Sequence, residues 1–348
     1  MKTLIRKQSF PHASGHGLML VLPALLLLAF SPLHLENRDT QSAAHRQAAP
    51  GSPTNAESVY DVAIILLNIS GIDISAGSYD LDFYISFYCA EPPCASEPKW
   101  DIMNTMDKIE PELQSAPIPF QEYHYRVKAK LLGYIDYTFY PFDYLLVDLY
   151  IEDKELGSSS ISYRLSSITT DKYLFDPKGW NYTLDPNAWR TEEIHYSFDD
   201  ETYSRLNVSL LLEREWGGAF MKTLFAAIVI VLIGLLAFLM RHDESTERLA
   251  LTSSTMLGII LYNLSITANL PTIGYMTFTD KFMVACYITT FLSLLISVLL
   301  MVLINQGRHE QAQRLHRTTR WVVPSLWVIA MALVFILELF LPYRAMFD

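Results

Sequence analysis

Four apolar runs crowd into the chain after Gly217, at 219–240, 249–270, 282–304 and 321–341. Each has about the 20 residues needed to cross a hydrocarbon core. In lipid such a run must satisfy its own backbone, so each is expected to be a helix. A fifth run, 17–30, follows Lys2, Arg6 and Lys7. Its apolar core is only about 14 residues, the pattern of a signal peptide or N-terminal anchor over residues 1–34. Residues 35–57, rich in Ala, Ser, Pro and Gln, read as a disordered leader. Between leader and spans lies one polar domain, 58–216, and residues 217–348 form the membrane domain.

Orientation follows from the basic residues. The connection 305–320 carries Arg308, Arg314, Arg317 and Arg320 against one acid, Glu310. Positive-inside placement puts it, and the connection 241–248, in the cytoplasm. Domain 58–216 and the C-terminus then face outward, in a multi-pass protein of the plasma membrane, or of the inner membrane in a Gram-negative cell. Cys89 and Cys94 bracket "AEPP" in the exported part, where an oxidising compartment permits a disulfide. Cys286, inside a span, is expected only to pack.

The exported domain reads as strands. "VYDVAIILLNISGIDI" and "SYDLDFYISFYC" alternate apolar and polar residues across a turn at Ser75-Ala76-Gly77-Ser78. The same texture recurs in "YHYRVKAKLLGYI", "YLLVDLYIED", "EEIHYSF" and "RLNVSLLLER", the last two joined by the hairpin tip "DDETY". This predicts an antiparallel, immunoglobulin-like β-sandwich followed by a four-helix transmembrane bundle. Domain 58–216 is acidic, with about fifteen more carboxylates than basic groups, which argues against a nucleic-acid partner and for cations nearby. There is no nucleophile–base pair, phosphate loop or metal-spaced cluster, so neither an enzyme nor a cofactor or metal site is expected.

The second span differs from the others. "LALTSSTMLGIILYNLSITANL" carries Thr252, Ser253, Ser254, Thr255, Asn263, Ser265 and Thr267 at membrane depth. At helical spacing one stripe runs Ala250, Ser254, Leu257, Leu261, Ser265, Ala268. Several such helices around an axis make a wet tube pinched by leucine rings that gate by dewetting. Glu247, just before the helix, then puts carboxylates at the inner mouth and favours permeant cations. Two plainer readings stand beside this. The hydroxyls bond between helices of one bundle, and Glu247 is an acid at a helix N-terminus.

One stretch fits none of this alone. "IDYTFYPFD", 135–143, is a loop tip whose Tyr140-Pro141-Phe142 water solvates poorly. It resembles the Ile-Asp-x-x-x-Phe-Pro-Phe-Asp signature of the pentameric ligand-gated ion channels, the Cys-loop receptor superfamily, with Tyr140 for the first Phe. Gly133 and Val147 stand where animal receptors carry the loop-closing cysteines, as in prokaryotic members. "ANLPTIGYMTFTDKF" resembles the family's linker after the pore helix, and "LLEREW" its entry into the first span. The resemblance, over residues 58–342, implies a homo-oligomer, a pentamer, in membrane lipid. It implies that Leu257 is the central leucine gate and Glu247 the cation-selecting ring. It also implies that Arg214 pairs with Asp143 and holds the tip against Leu270 and Pro271, with Asp73 beside them. The family's proline in the first span is absent from "FAAIVIVLIG".

The trigger is the least legible part. Family agonists bind in aromatic cages, where cations gain about 0.5–2 kcal/mol per ring. Tyr88, Tyr163, Tyr196 and Tyr203 are the candidates, for an unidentified small-molecule agonist. Trp180 and Trp189 are expected to be structural. Protons are a second trigger, through His124 and His195. A non-conducting membrane sensor on the same scaffold is the alternative function.

Overall fold

The computed structural model describes residues 58–91, 94, 98–115, 122–184, 189–197, 200–241, 244–268 and 270–340. The expected signal segment and leader lie outside the described residues.

Alternation builds the exported domain. Strand β1 (Ser58–Asp73) turns Tyr60, Val62, Ile64 and Leu66 inward, and β2 (Ser78–Cys89) turns in Tyr79, Leu81, Phe83, Ile85 and Phe87. Burying each such side chain is worth about 1.5–3 kcal/mol. The remaining strands are β3 (Trp100–Ile102), β4 (Glu112–Ser115), β5 (Glu122–Leu132), β6 (Tyr134–Asp136), β7 (Tyr144–Asp153), β8 (Ile161–Thr170), β9 (Trp180–Thr183), β10 (Trp189–Tyr196) and β11 (Glu201–Arg214). One sheet runs β4-β5-β2-β1-β8; the other runs β10-β11-β7-β3, with β6 on β7 and β9 on β11.

The sandwich is as expected, with one correction to its antiparallel reading: β1 and β8 pair in parallel. A disulfide joins Cys89 to Cys94. Gly133 has no room for a side chain, since a Cβ there would meet Tyr79 Cε1 at 2.6 Å and the Leu146 carbonyl at 2.9 Å. A loop-closing cysteine is therefore sterically shut out at that position.

The membrane domain comprises α1 (Trp216–Thr223), α2 (Phe225–Leu235), α3 (Ser245–Thr267), α4 (Phe278–Asn305) and α5 (His309–Val334). Helices α3, α4 and α5 are long and apolar enough to cross a membrane. Helices α1 and α2 with the short turn that follows, bent by 42°, make a fourth when taken together as one broken span. No proline makes that bend. Instead the Tyr262 hydroxyl, from α3, donates to the carbonyls of Lys222 and Thr223 at 3.1 Å each, where the ladder breaks. Helix α4 opens on a reciprocal cap between Thr277 and Asp280. The arginine-rich connection is mostly helix, because α5 begins at His309 and extends the last span inward.

Candidate gating interface and pore face

The apolar tip is a folded wedge. The Asp136 carboxylate accepts from the Thr138 N–H and hydroxyl, at 2.9 and 2.6 Å, and starts a short 3-10 turn over Tyr137–Phe139. The chain then passes through a cis Tyr140–Pro141 bond. Phe142 stacks on Trp216 with ring centres 4.2 Å apart and tilts against Phe278 at 5.8 Å. Thr279 donates both its N–H and its hydroxyl to the Tyr140 carbonyl. The wedge is thus seated on the first turns of α1 and α4.

Asp143 locks it there. Its wholly buried carboxylate takes Arg214 Nε at 2.6 Å and Nη2 at 2.9 Å, a fork-to-fork pair. The guanidinium also lies 4.4 Å from the Trp180 ring centre and 5.8 Å from that of Tyr140. Trp180 is thereby part of the interface.

The linker after α3 meets the sandwich beside the tip. Leu270, with Ile273 and Tyr275, packs against the sandwich core, and the Tyr275 hydroxyl accepts from the Tyr137 N–H. Pro271 beside it is half-buried. Trp216 and Phe278 are docking partners of the tip that the resemblance did not name. Asp73 reaches the tip only indirectly, since Tyr137 donates to the neighbouring Ile74 carbonyl. The Asp73 carboxylate closes its own exposed turn. It is held below the usual carboxylate range by the Ser75 hydroxyl first, then by the Ala76 N–H.

Helix α3 has two faces. Glu247, Ala250, Ser254, Leu257, Leu261, Ser265 and Ala268 are all exposed in the single chain, Leu257 and Leu261 at 57% each. Arg248, Thr252, Thr255, Ile259 and Ile266 form the buried face. The Thr252 and Thr255 hydroxyls are spent on carbonyls one turn back, so they need no partner helix. A side chain at Gly234 would strike Thr255 Oγ1 at 2.9 Å, which keeps α2 and α3 close.

Arg248 is a residue the sequence reading missed. It is 1% exposed and donates to the Met240 carbonyl at 2.9 Å, with His316 Nδ1 on α5 at 3.3 Å. It ties the inner end of α3 to two other elements, one position beyond Glu247.

In the sandwich, the four candidate tyrosines do not share one site. Tyr163 is a correction: it is fully buried between the sheets and its hydroxyl donates to Asp153 at 2.8 Å. Its aromatic ring fills the core and cannot meet a ligand. Tyr196 and Tyr203 sit together on the β10–β11 hairpin with ring centres 5.6 Å apart. There Tyr196 donates to buried Glu152 and accepts from Arg205, whose guanidinium also pairs with Glu152 and lies over Tyr150. Glu152, Arg205 and Tyr150 carried no sequence signal, because only strand pairing brings them to the hairpin.

Tyr88 lies on the other sheet with its ring against His124 at 5.8 Å. The His124 imidazole bridges the Ser86 hydroxyl, 2.6 Å from Nδ1, and the Glu122 carboxylate. Burial first, then Glu122, pushes the Tyr88 phenol up. His195 lies 3.6 Å from Asp200 in an exposed turn. Trp189 packs against the core. No metal-holding cluster of three His, Cys, Asp or Glu occurs among the described residues.

Comparison with known proteins bears on the same helices. The profile described as the neurotransmitter-gated ion-channel transmembrane region matches residues 223–332, from the end of α1 into α5. A proton-gated ion channel of Gloeobacter violaceus is 21% identical over 232 residues, 66% of this chain and 63% of that protein. The helical part of the chain is therefore similar to the transmembrane region of neurotransmitter-gated ion channels. A gamma-aminobutyric acid receptor subunit beta-4 of Gallus gallus is 26% identical over 124 residues, 35% of this chain and 25% of the subunit. A gamma-aminobutyric acid receptor subunit beta-like protein of Drosophila melanogaster is 30% identical over 93 residues, 27% and 19% respectively. The matches span less than two thirds of each of these relatives. The chain is a multi-pass membrane protein with a large extracellular sandwich.

Proposed function

We propose that this chain forms a homopentameric cation channel whose pore is lined by α3 and opened by movement of the sandwich. The observation that carries the reading is the exposed face of α3. The six residues that helical spacing puts on one stripe, and Glu247 before them, lack cover in the single chain, while the opposite face is packed. A ring of copies supplies that cover as a wet axis. Glu247 then rings the inner mouth, Ser254 and Ala250 line the hydrated inner part, and Leu257 and Leu261 pinch the middle. Motion enters through the Phe142 wedge, which presses on α1 and α4 while Asp143 and Arg214 keep it in register.

The experiment is cysteine scanning of the full chain in planar bilayers. Thiol reagents from the aqueous phase should block current through Ser254→Cys and leave Thr252→Cys, on the packed face, untouched. Glu247→Gln should move the reversal potential in a salt gradient toward that of an unselective pore. Labelling of Ser254→Cys from lipid alone defeats the assignment.

An agonist would meet Tyr196 and Tyr203 of one copy and Tyr88 of the next. A proton trigger is favoured by one specific contact, His124 against Glu122, on a chain similar to a channel named as proton-gated. Histidine changes charge between about pH 5 and 8. Acid steps on wild type and His124→Gln separate the two triggers.

A further inference from the structure

Strand pairing assembles a cluster that no single stretch of sequence announces. Strands β2 and β5 run antiparallel, with Ser86 directly opposite His124 and Tyr88 directly opposite Glu122. Residues two apart on a strand share a face, and directly opposed Cβ atoms stand about 4.5–5.5 Å apart. Four side chains therefore meet on one surface of the sheet, although 38 residues separate Ser86 from His124. The Ser86 hydroxyl lies 2.6 Å from His124 Nδ1, and His124 Nε2 pairs with a Glu122 carboxylate oxygen. An ionised carboxylate only accepts, so Nε2 carries the imidazole proton and Nδ1 is left as a lone-pair base for the serine. The three groups are a nucleophile, its base and the acid that orients the base. Burial first, and then Glu122, raises the Tyr88 pKa while Ser86 lowers it, so the phenol hydroxyl stands by both. Ser86 is 9% exposed and Tyr88 beside it 36%, which gives a small electrophile a way in from water.

Neighbouring charges leave this cluster to itself. Arg126, next along the same face, is forked onto Asp82 at 3.1 and 2.9 Å and covers the Tyr84 ring. On β1, Asp61 sits opposite Tyr88 but is held by Arg164 at 2.7 Å. On β4, Ser115 stands opposite His124, and Glu112 opposite Arg126. Other serine hydroxyls of the sandwich have no such base. Ser209 donates to the Asp148 carboxylate, Ser75 to that of Asp73, and Ser162 shares a bond with Ser204. A stretched version of the cluster occurs on the β10–β11 hairpin. There the Thr202 hydroxyl is 3.4 Å from His195 Nδ1, and Asp200 is 3.6 Å from Nε2.

We propose that Ser86 is a covalent-modification site that takes an acyl or phosphoryl group from an activated ester. Its Oγ attacks the carbonyl carbon or the phosphorus, its proton passes to His124 Nδ1, and Glu122 stabilises the imidazolium. The bond to the leaving group breaks as the new one forms, and His124 returns its proton to the departing anion. Strand β2 lies between β1 and β5, so its amides are spent on two ladders and offer no pair of donors to an oxyanion. The Tyr88 hydroxyl is the donor at hand. Hydrolysis of the adduct is therefore slow, and the serine stays modified rather than turning over. An adduct also puts bulk between Tyr88 and His124 and takes both from a trigger; that consequence rests on the function proposed above, whereas formation of the adduct does not.

The test is treatment of the full chain, in uncharged detergent, with diisopropyl fluorophosphate, from which fluoride leaves. Peptide mass spectrometry should find one diisopropylphosphoryl group per chain, on Ser86. Ser86→Ala should lose it while keeping a cooperative thermal melt. His124→Gln should slow the labelling by about a hundredfold. Wild-type labelling should also fall in acid, where an imidazole is protonated, and the His124→Gln rate should be flat over the same range. Thr202, in the stretched version, should stay unlabelled. An unmodified Ser86 overturns the proposal. So does a His124→Gln variant labelled as fast as wild type, or Thr202 labelled as fast as Ser86. Mass spectrometry reads a bond rather than a current, so its failure leaves the conduction reading untouched. An adduct that forms without changing activation supports the site and counts against Tyr88 and His124 as triggers.

Discussion

Asp143 and Arg214 show how much one pair can decide. Removing one partner strands a buried charge, at a cost of about 3–5 kcal/mol. Arg214→Gln and Asp143→Asn should therefore each lower the melting temperature, while the double variant recovers part of the loss. A double-mutant cycle on thermal melts gives the coupling; additive losses would mean the pair is incidental. Asp73 makes a smaller prediction with a definite sign. Its carboxyl is held below its ordinary value of 3.8 in the folded chain. That contribution is fully present above the ordinary value and is lost as pH falls through the lowered folded one. Ser75→Ala removes the largest cause, so a carboxylate NMR titration should show Asp73 move back up. The Asp143–Arg214 pair was legible because both ends sit in recognisable short motifs. Arg248 was not: arginines near a span's inner end normally reach water, and its burial depends on His316 on a distant helix.

Among the elements, α3 was the easiest to read, because a period of 3.6 residues separates its faces without help from the rest of the fold. The stripe drawn from spacing lies within the exposed face of the helix, which is wider and also takes in Ser253, Ile260 and Leu264. If Leu257 closes the pore, polarity there removes the dewetting barrier. Leu257→Ser should shift activation to lower agonist or proton concentration by about tenfold, read as a dose–response curve; an unmoved curve argues that the gate lies elsewhere. Other elements hid their signals. Strand β8, "ISYRLSSITT", is too polar to announce itself, and its parallel pairing with β1 has no local turn to mark it. The bend between α1 and α2 depends on a hydroxyl from Tyr262, in another helix. The inward end of α5 looked like a loop because its arginines dominate the composition, yet arginine is a good helix former.

At the level of the whole molecule, two hydrophobic cores meet rather than stand apart. One fills the sandwich and the other the helix bundle, and Tyr140 packs against both, while Phe139 and Phe142 belong to the helical one. The chain order of sandwich then spans, with a loop tip too apolar for water, made that meeting legible before any coordinates. Its partners Trp216 and Phe278 were not legible, because stacking geometry has no trace in composition. The shared tyrosine has a practical consequence for anyone wishing to work with the outer half in water. A piece cut after Arg214 would carry Phe139 and Phe142 as a bare greasy knob, so it should elute from a sizing column as clumps and bind apolar dyes. Trading those two rings for serine should yield single, dispersed particles. If the unaltered piece is already monodisperse, the two halves are more independent than their common residue implies.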